Sequence, residues 1–338
     1  MFATLRELSP APDSLRVAVR MSLAVLIGLS ILVAAERTDW AAFAMFGALS
    51  GLYGGMSPTR DRWRAQASLG GIFVLVSVTG TLVGISANRQ WLVLPLCAVW
   101  AGASAALSDR YRWRPPGALF TVFAVSTIAA IPAEPADLLP ALLVTAAAAA
   151  FAIGLGLLET ALWPGGESSG EHAPAGPEAF TRRNLVNVLR CAIAVVAAGV
   201  TANALGIAHA GWAMVAAVVP LVAPELHHQL ARSLHRIVGT LAGLVPAAIL
   251  LALDLSPVGI VVALTVLQFG IDFTVARHYA LALVFVTPVP LLITQLSAPQ
   301  EAMPLLRDRL LETLIGVAIG TLVALLIRPP REVSPATV

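Results

Sequence analysis

Twelve apolar runs, most of them about 17 to 22 residues long, are spaced along this chain of 338 residues, and their length dictates the solvent it folds in. A helix of that length crosses the hydrocarbon layer of a bilayer, where the backbone must satisfy its own N–H and C=O groups. The runs fall near 16–35, 39–56, 66–86, 91–108, 117–132, 138–162, 186–206, 210–223, 237–253, 257–275, 279–296 and 305–327. None alternates as a strand would. The expected fold class is all-α, a polytopic membrane protein of about twelve transmembrane helices. Composition agrees, since 58% hydrophobic and 12% charged residues leave too little polar surface to coat a soluble domain. The lipid bilayer is the first partner this chain requires.

Six runs fall in each half, and three residue types recur at one spacing: 212 − 40 = 236 − 64 = 243 − 71 = 172 for Trp40/Trp212, Arg64/Arg236 and Gly71/Gly243. Asp109 with Arg114 matches Asp272 with Arg277, and Gly156 matches Gly320, at slightly shorter spacings. The expected organisation is a six-helix repeat over 1–162, a flexible linker over 163–180 rich in Gly, Pro and Ser, a second six-helix repeat over 181–330, and a tail over 331–338. An even number of spans per half makes the two repeats parallel, with a pseudo-twofold axis along the membrane normal.

The chain contains no lysine, so all 21 basic side chains counted as Lys+Arg are arginine. This excludes a Walker A loop and any Schiff-base or Ser-Lys mechanism. No zincin or nucleophile-elbow motif is present either, and the expectation is a non-enzyme without cofactor, metal or nucleic-acid partner. Cys97 and Cys191 lie inside apolar runs and read as small core residues. His227 and His228, with His235 nearby and Glu225 close by, invite a metal reading, but adjacent helical side chains diverge by about 100° and no further ligand completes a shell, so a solvated cytoplasmic loop is expected. Arginine clusters gather at one end of the helices, at Arg16, Arg60, Arg110, Arg182 and Arg232 and their neighbours. The positive-inside rule then places both termini and the linker in the cytoplasm, in a bacterial inner membrane.

Candidate working parts lie where the halves differ. Helix twelve opens with Arg307, Asp308 and Arg309 followed by Glu312, whereas the aligned Leu143–Ala148 carries no charge. An arginine at mid-membrane costs about 2.5–3.5 kcal/mol on insertion scales, so its presence calls for a partner or a cavity. Helix eleven carries Thr287, Pro288 and Pro290 in mid-span, and two prolines there are expected to break the helix and free carbonyls for a ligand. Asp109 with Arg114 and Asp272 with Arg277 read as structural ion pairs. Asp272 lies deeper than Asp109, so it is also a candidate proton carrier.

Three segments carry a family resemblance: Arg236-Ile-Val-Gly239-Thr240-Leu-Ala-Gly243, then Arg277-His278-Tyr279-Ala280 through Thr287-Pro288, then Arg309-Leu-Leu-Glu312-Thr313-Leu-Ile-Gly316. They resemble the second membrane module of the fusaric-acid-resistance-like (FUSC) family, also called aromatic acid exporters. The resemblance implies efflux of small organic anions such as aromatic carboxylates. It also implies a distant likeness to plant malate channels, which are dimers with a basic anion pore. Many bacterial relatives carry a cytoplasmic domain after each membrane half, and this chain has a tether and a short tail there. On this reading Arg307 and Arg309 attract the anion, Thr287 and Pro288 supply a mid-membrane site, and Asp272, Asp308 or Glu312 carries the coupling proton. An anion channel, a non-transporting scaffold and an enzyme on lipid substrates are the rival readings, and a homo-oligomer is compatible with all of them.

Overall fold

A computed structural model describes residues 14–53, 59–111, 113, 115, 118–162, 180–207, 209–223 and 225–329. Among these residues every regular element is helical. The first half contains α1 (Ser14–Ala34), α2 (Ala41–Ala48), α3 (Thr59–Gly84), α4 (Arg89–Tyr111), α5 (Ala118–Ala130) and α6 (Leu138–Leu162). The second contains α7 (Arg182–Ala204), α8 (Gly211–Val218), α9 (Leu226–Ala252), α10 (Pro257–Thr274), α11 (Tyr279–Val286), α12 (Pro288–Ser297) and α13 (Ala302–Leu326). Among the described residues, nine spans, with α11 and α12 counted as one over Tyr279–Ser297, are long and apolar enough to cross a membrane. The chain is an all-α multi-pass membrane protein, as expected from its apolar runs.

The remaining three of the twelve expected spans are shorter. α2 and α8 have eight residues each and α5 has thirteen. Each of the first two continues into a 3-10 turn, at Leu49–Leu52 and Pro220–Val222. Every residue of α2 is buried, as is α8 from Ala213 onward. Irregular backbone at membrane depth is tolerated where protein rather than lipid surrounds it. Lipid instead meets the exposed apolar side chains of the long helices, such as Leu75, Val99, Val245, Val266 and Leu326.

Packing crosses between the halves in reciprocal pairs. α1 lies along α10 and α4 along α7, while α8 rests on α5 and α2 on α12. Within the halves, α3 and α2 pack on α6 much as α9 and α8 pack on α13. One apolar cluster, from Val25 to Ala324, runs through both.

Burial in several helices follows a different spacing from the one read in the sequence. Six of the nine buried positions of α1, Arg20, Met21, Ala24, Val25, Leu29 and Leu32, recur in α7 as Arg190, Cys191, Ala194, Val195, Gly199 and Ala202, each 190 − 20 = 170 residues on. In α3 and α9 the same offset pairs Gln66 with Arg236, Leu69 with Gly239, Phe73 with Gly243 and Ser77 with Ala247, all buried. The left-handed turn residues Glu36 and Gly206 also stand 206 − 36 = 170 apart. Arg64 and Gly71 are exposed, however, while Arg236 and Gly243, their expected counterparts at 172, are buried. A slip of two residues turns a helix by about 200°, which carries a side chain to the opposite face. For α6 and α13 the offset of Gly156 and Gly320, 320 − 156 = 164, also fits burial, and it sets Thr145 opposite Arg309.

Candidate anion site

Arg309 stands seven residues inside α13, at the end of the bundle poor in arginine. It is 1% exposed. Its guanidinium lies 4.3 Å over the ring of Trp212, at the start of α8. None of its three side-chain nitrogens has a hydrogen-bond partner. Glu312, one turn on, is fully buried, and neither carboxylate oxygen has a partner. The remaining electrostatic neighbours of Arg309 are Arg236 and Tyr279. An effective penalty of several kcal/mol attends each buried ion. A desolvated cation–π contact returns about 2 kcal/mol. Trp212 alone therefore does not balance the charge, and Glu312 is the acidic electrostatic neighbour of Arg309.

A cavity of about 520 Å³ opens at the same end, between α4, α5, the turn leading into α8, and α12. Arg89, Ser126, Asn203, His209, Trp212 and Thr294 are among its lining residues. Behind it a space of about 10 Å³ lies between His209, Trp212, Thr294, Asp308, Arg309 and Glu312. That is room for about one water. His209, Trp212 and Thr294 line both spaces and so form the wall between them. His209 Nδ1 lies 3.6 Å from Asp308 Oδ2 across this wall.

The expected site residues do not all gather here. Arg309, Asp308 and Glu312 do, but Arg307 is exposed on the opposite face of α13. Thr287 and Pro288 are buried elsewhere, and Thr287 Oγ1 donates to the Leu283 carbonyl at 2.7 Å. The expected break is mild. Thr287 keeps helical dihedrals, and Pro288 occupies the first turn of α12, where a missing N–H costs little. Thr287 instead packs on Gly243, where an added Cβ would come within 2.7 Å of its side chain. The distal residues Leu291 and Thr294 of α12 do reach the inner space.

Asp272 lies at the arginine-rich end, where its carboxylate accepts from Gln268 Nε2 at 2.7 Å. It does not pair with Arg277, whose guanidinium donates to the Phe273 carbonyl and lies 3.9 Å from the Phe273 ring. Asp109 accepts from Asn184 and Asn187 of α7, at 3.1 Å each. Arg114 lies outside the described residues.

Two arginines that the positive-inside count absorbed are deeply set. Arg190 is 2% and Arg236 3% exposed, and both have unpartnered side-chain nitrogens. Their place eight to ten residues inside a helix, about 12–15 Å from its end, is the signal that sets them apart from loop arginines. At the corresponding end of the first half the charges are paired. Arg20 bonds Glu159 and, at 3.1 Å, the Gly51 carbonyl. Arg62 lies 3.8 Å from Glu159 and donates to Thr160 Oγ1 at 2.8 Å.

Fold and site together define a multi-pass helical membrane protein with an unpaired buried cation behind a cavity at one face. Residues 193–323, which include Arg236, Trp212, Arg309 and Glu312, match the family described as fusaric acid resistance protein-like. The resemblance of the second half is thus borne out over that stretch. A segment of 144 residues, 42% of this chain, is 28% identical to an uncharacterized membrane protein, YvaC, of Bacillus subtilis (strain 168). The chain spans 23% of that relative's length. No solved structure matches.

Proposed function

We propose that this chain is a membrane transporter of the efflux type that moves small organic anions, aromatic carboxylates among them. The observation that carries the reading is Arg309: buried, without a hydrogen-bond partner, and separated by Trp212 from a cavity open to one face. A guanidinium offers a carboxylate two parallel N–H donors, and the neighbouring indole adds an apolar face for a ring. The match to a family named for resistance to fusaric acid supports efflux. The reciprocal helix pairs and the shared burial register support two parallel six-helix repeats over 1–162 and 181–330, joined by the linker 163–180. The arginine-rich end is then cytoplasmic, with both termini, and the cavity faces outward.

Glu312 is the coupling group in this reading, because its carboxylate is buried beside Arg309 without a donor of its own. Asp308 lies 3.6 Å from His209 at the wall. Asp272, at the other end and held by Gln268, is the less favoured proton carrier.

Flux of labelled benzoate in proteoliposomes tests the reading. Arg309→Gln should lower flux by on the order of tenfold or more, and Glu312→Gln should leave flux that no longer responds to a proton gradient. Benzoate flux through Arg309→Gln equal to that of the parent would remove Arg309 from the path. A scaffold would pass no anion under any gradient, and a channel would carry current at rates far above those of a carrier.

A further inference from the structure

We propose that the second half holds another anion-binding station at the arginine-rich end, where a carboxylate occupies the place that Glu159 fills in the first half. This extends the reading of the second half as the one that handles anions, but it concerns different residues from the Arg309 site.

The first half carries its own anion. Glu159 of α6 joins Arg20 of α1 to Arg62 of α3. Arg20 and Gln66 also meet at one acceptor, each donating to the Gly51 carbonyl at 3.1 Å. The burial register gives the counterparts in the second half. At 170, Arg20 corresponds to Arg190, Arg62 to Arg232 and Gln66 to Arg236. At 164, Glu159 corresponds to Val323, because 323 − 159 = 164. The second half therefore has three arginines where the first has two and a glutamine, and a valine in place of the carboxylate. Val323 is 7% exposed and sits on the buried face of α13, which packs on both α7 and α9.

The arginines behave as that exchange requires. Arg190 keeps Nε and one terminal nitrogen without a partner, whereas Arg236, and Arg20 with its Glu159, keep only Nε so; all three are more than nine-tenths buried. Arg232 turns away to Tyr279, with its guanidinium 5.1 Å from the ring. Arg190 and Arg232 stand on α7 and α9, both of which pack on α13, and a buried cation without a partner is among the costlier features a fold retains. A carboxylate between Arg190 and Arg232 satisfies both. The ligand class is a small monocarboxylate with an apolar body, since Val323 belongs to the continuous apolar core. Arg236 is an electrostatic neighbour of Arg309.

Propionate, which reproduces the glutamate side chain, is the probe. Labelled propionate binding is measured on the full chain in neutral-lipid nanodiscs at fixed ionic strength, in the Arg309→Gln background so that the outer site is silent. Saturable binding is expected there. Val323→Glu should place a tethered carboxylate in the station, weaken propionate binding by on the order of tenfold or more, and raise the unfolding temperature above that of Val323→Gln. Arg190→Gln should weaken binding comparably without the gain in stability. Absence of saturable binding, unchanged binding in Val323→Glu, or a Val323→Glu chain less stable than Val323→Gln would each overturn the proposal. Because binding is read without flux, failure of the Arg309 transport reading leaves this outcome separate, and the reverse holds too.

Discussion

The guanidinium of Arg309 lies 4.3 Å over the indole of Trp212, and the same indole packs at 5.0 Å, ring to ring, on Phe123 of the first half. Phe123 in turn meets Phe46 edge-on at 4.9 Å. The buried cation of one half is thus covered by an aromatic chain that reaches into the other. Trp40 also has an arginine over its ring, Arg37 at 3.4 Å, but that arginine comes from a loop and is already paired with Asp39.

Trp212 should therefore act as the barrier between cavity and cation. In a chain whose two buried cysteines are replaced, Arg309→Cys should react slowly with a sulfonate-bearing thiol reagent added on the cavity side. Adding Trp212→Ala should speed that reaction by on the order of tenfold or more, while Trp212→Phe should change it little. Equal rates with and without Trp212 would mean that the wall lies elsewhere.

Gly243 and Gly71 should respond in opposite ways to alanine, although sequence spacing pairs them. A Cβ on Gly243 would lie 2.7 Å from the Thr287 side chain and 2.9 Å from the Leu283 carbonyl, so α9 and α11 must separate. A Cβ on Gly71 meets nothing within 4 Å. Gly243→Ala should cost about 1–3 kcal/mol by overpacking. Gly71→Ala should be neutral or stabilise by up to ~1 kcal/mol through helix propensity. Unfolding of the purified variants in detergent measures both.

The two ion-pair sites of the first half should also differ. Glu159→Gln leaves Arg20, whose side chain is 5% exposed, without its carboxylate. The expected loss is about 1–3 kcal/mol, seen as a lower unfolding temperature. Asp39→Asn breaks the exposed pair with Arg37 and should cost less than ~1 kcal/mol.

Parts of the site were legible in the chain and parts were not. The charges of Arg309 and Glu312 stood out because the aligned stretch of the first half has none, and the structure buries both beside a cavity. Arg307, two residues earlier, looked equivalent but is exposed, since neighbours on a helix point in different directions. Thr287 and Pro288 signalled a broken helix. Thr287 bonds back to Leu283, however, and keeps helical dihedrals, and Pro288 starts a new helical turn. Arg190 and Arg236 resembled ordinary cytoplasmic arginines because composition counts charges without regard to depth.

By itself the sequence determined that the chain is helical and lies in a membrane, because apolar runs of that length leave lipid-embedded backbone no other way to satisfy its hydrogen bonds. It also placed the unmatched charges in the second half. Tertiary structure decided the register and the faces. Coincidences at a spacing of 172 set Arg64 against Arg236, and burial at 170 sets Gln66 there instead. Two residues are about 200° of helix, and only packing against neighbouring helices tells which side of that rotation is inside.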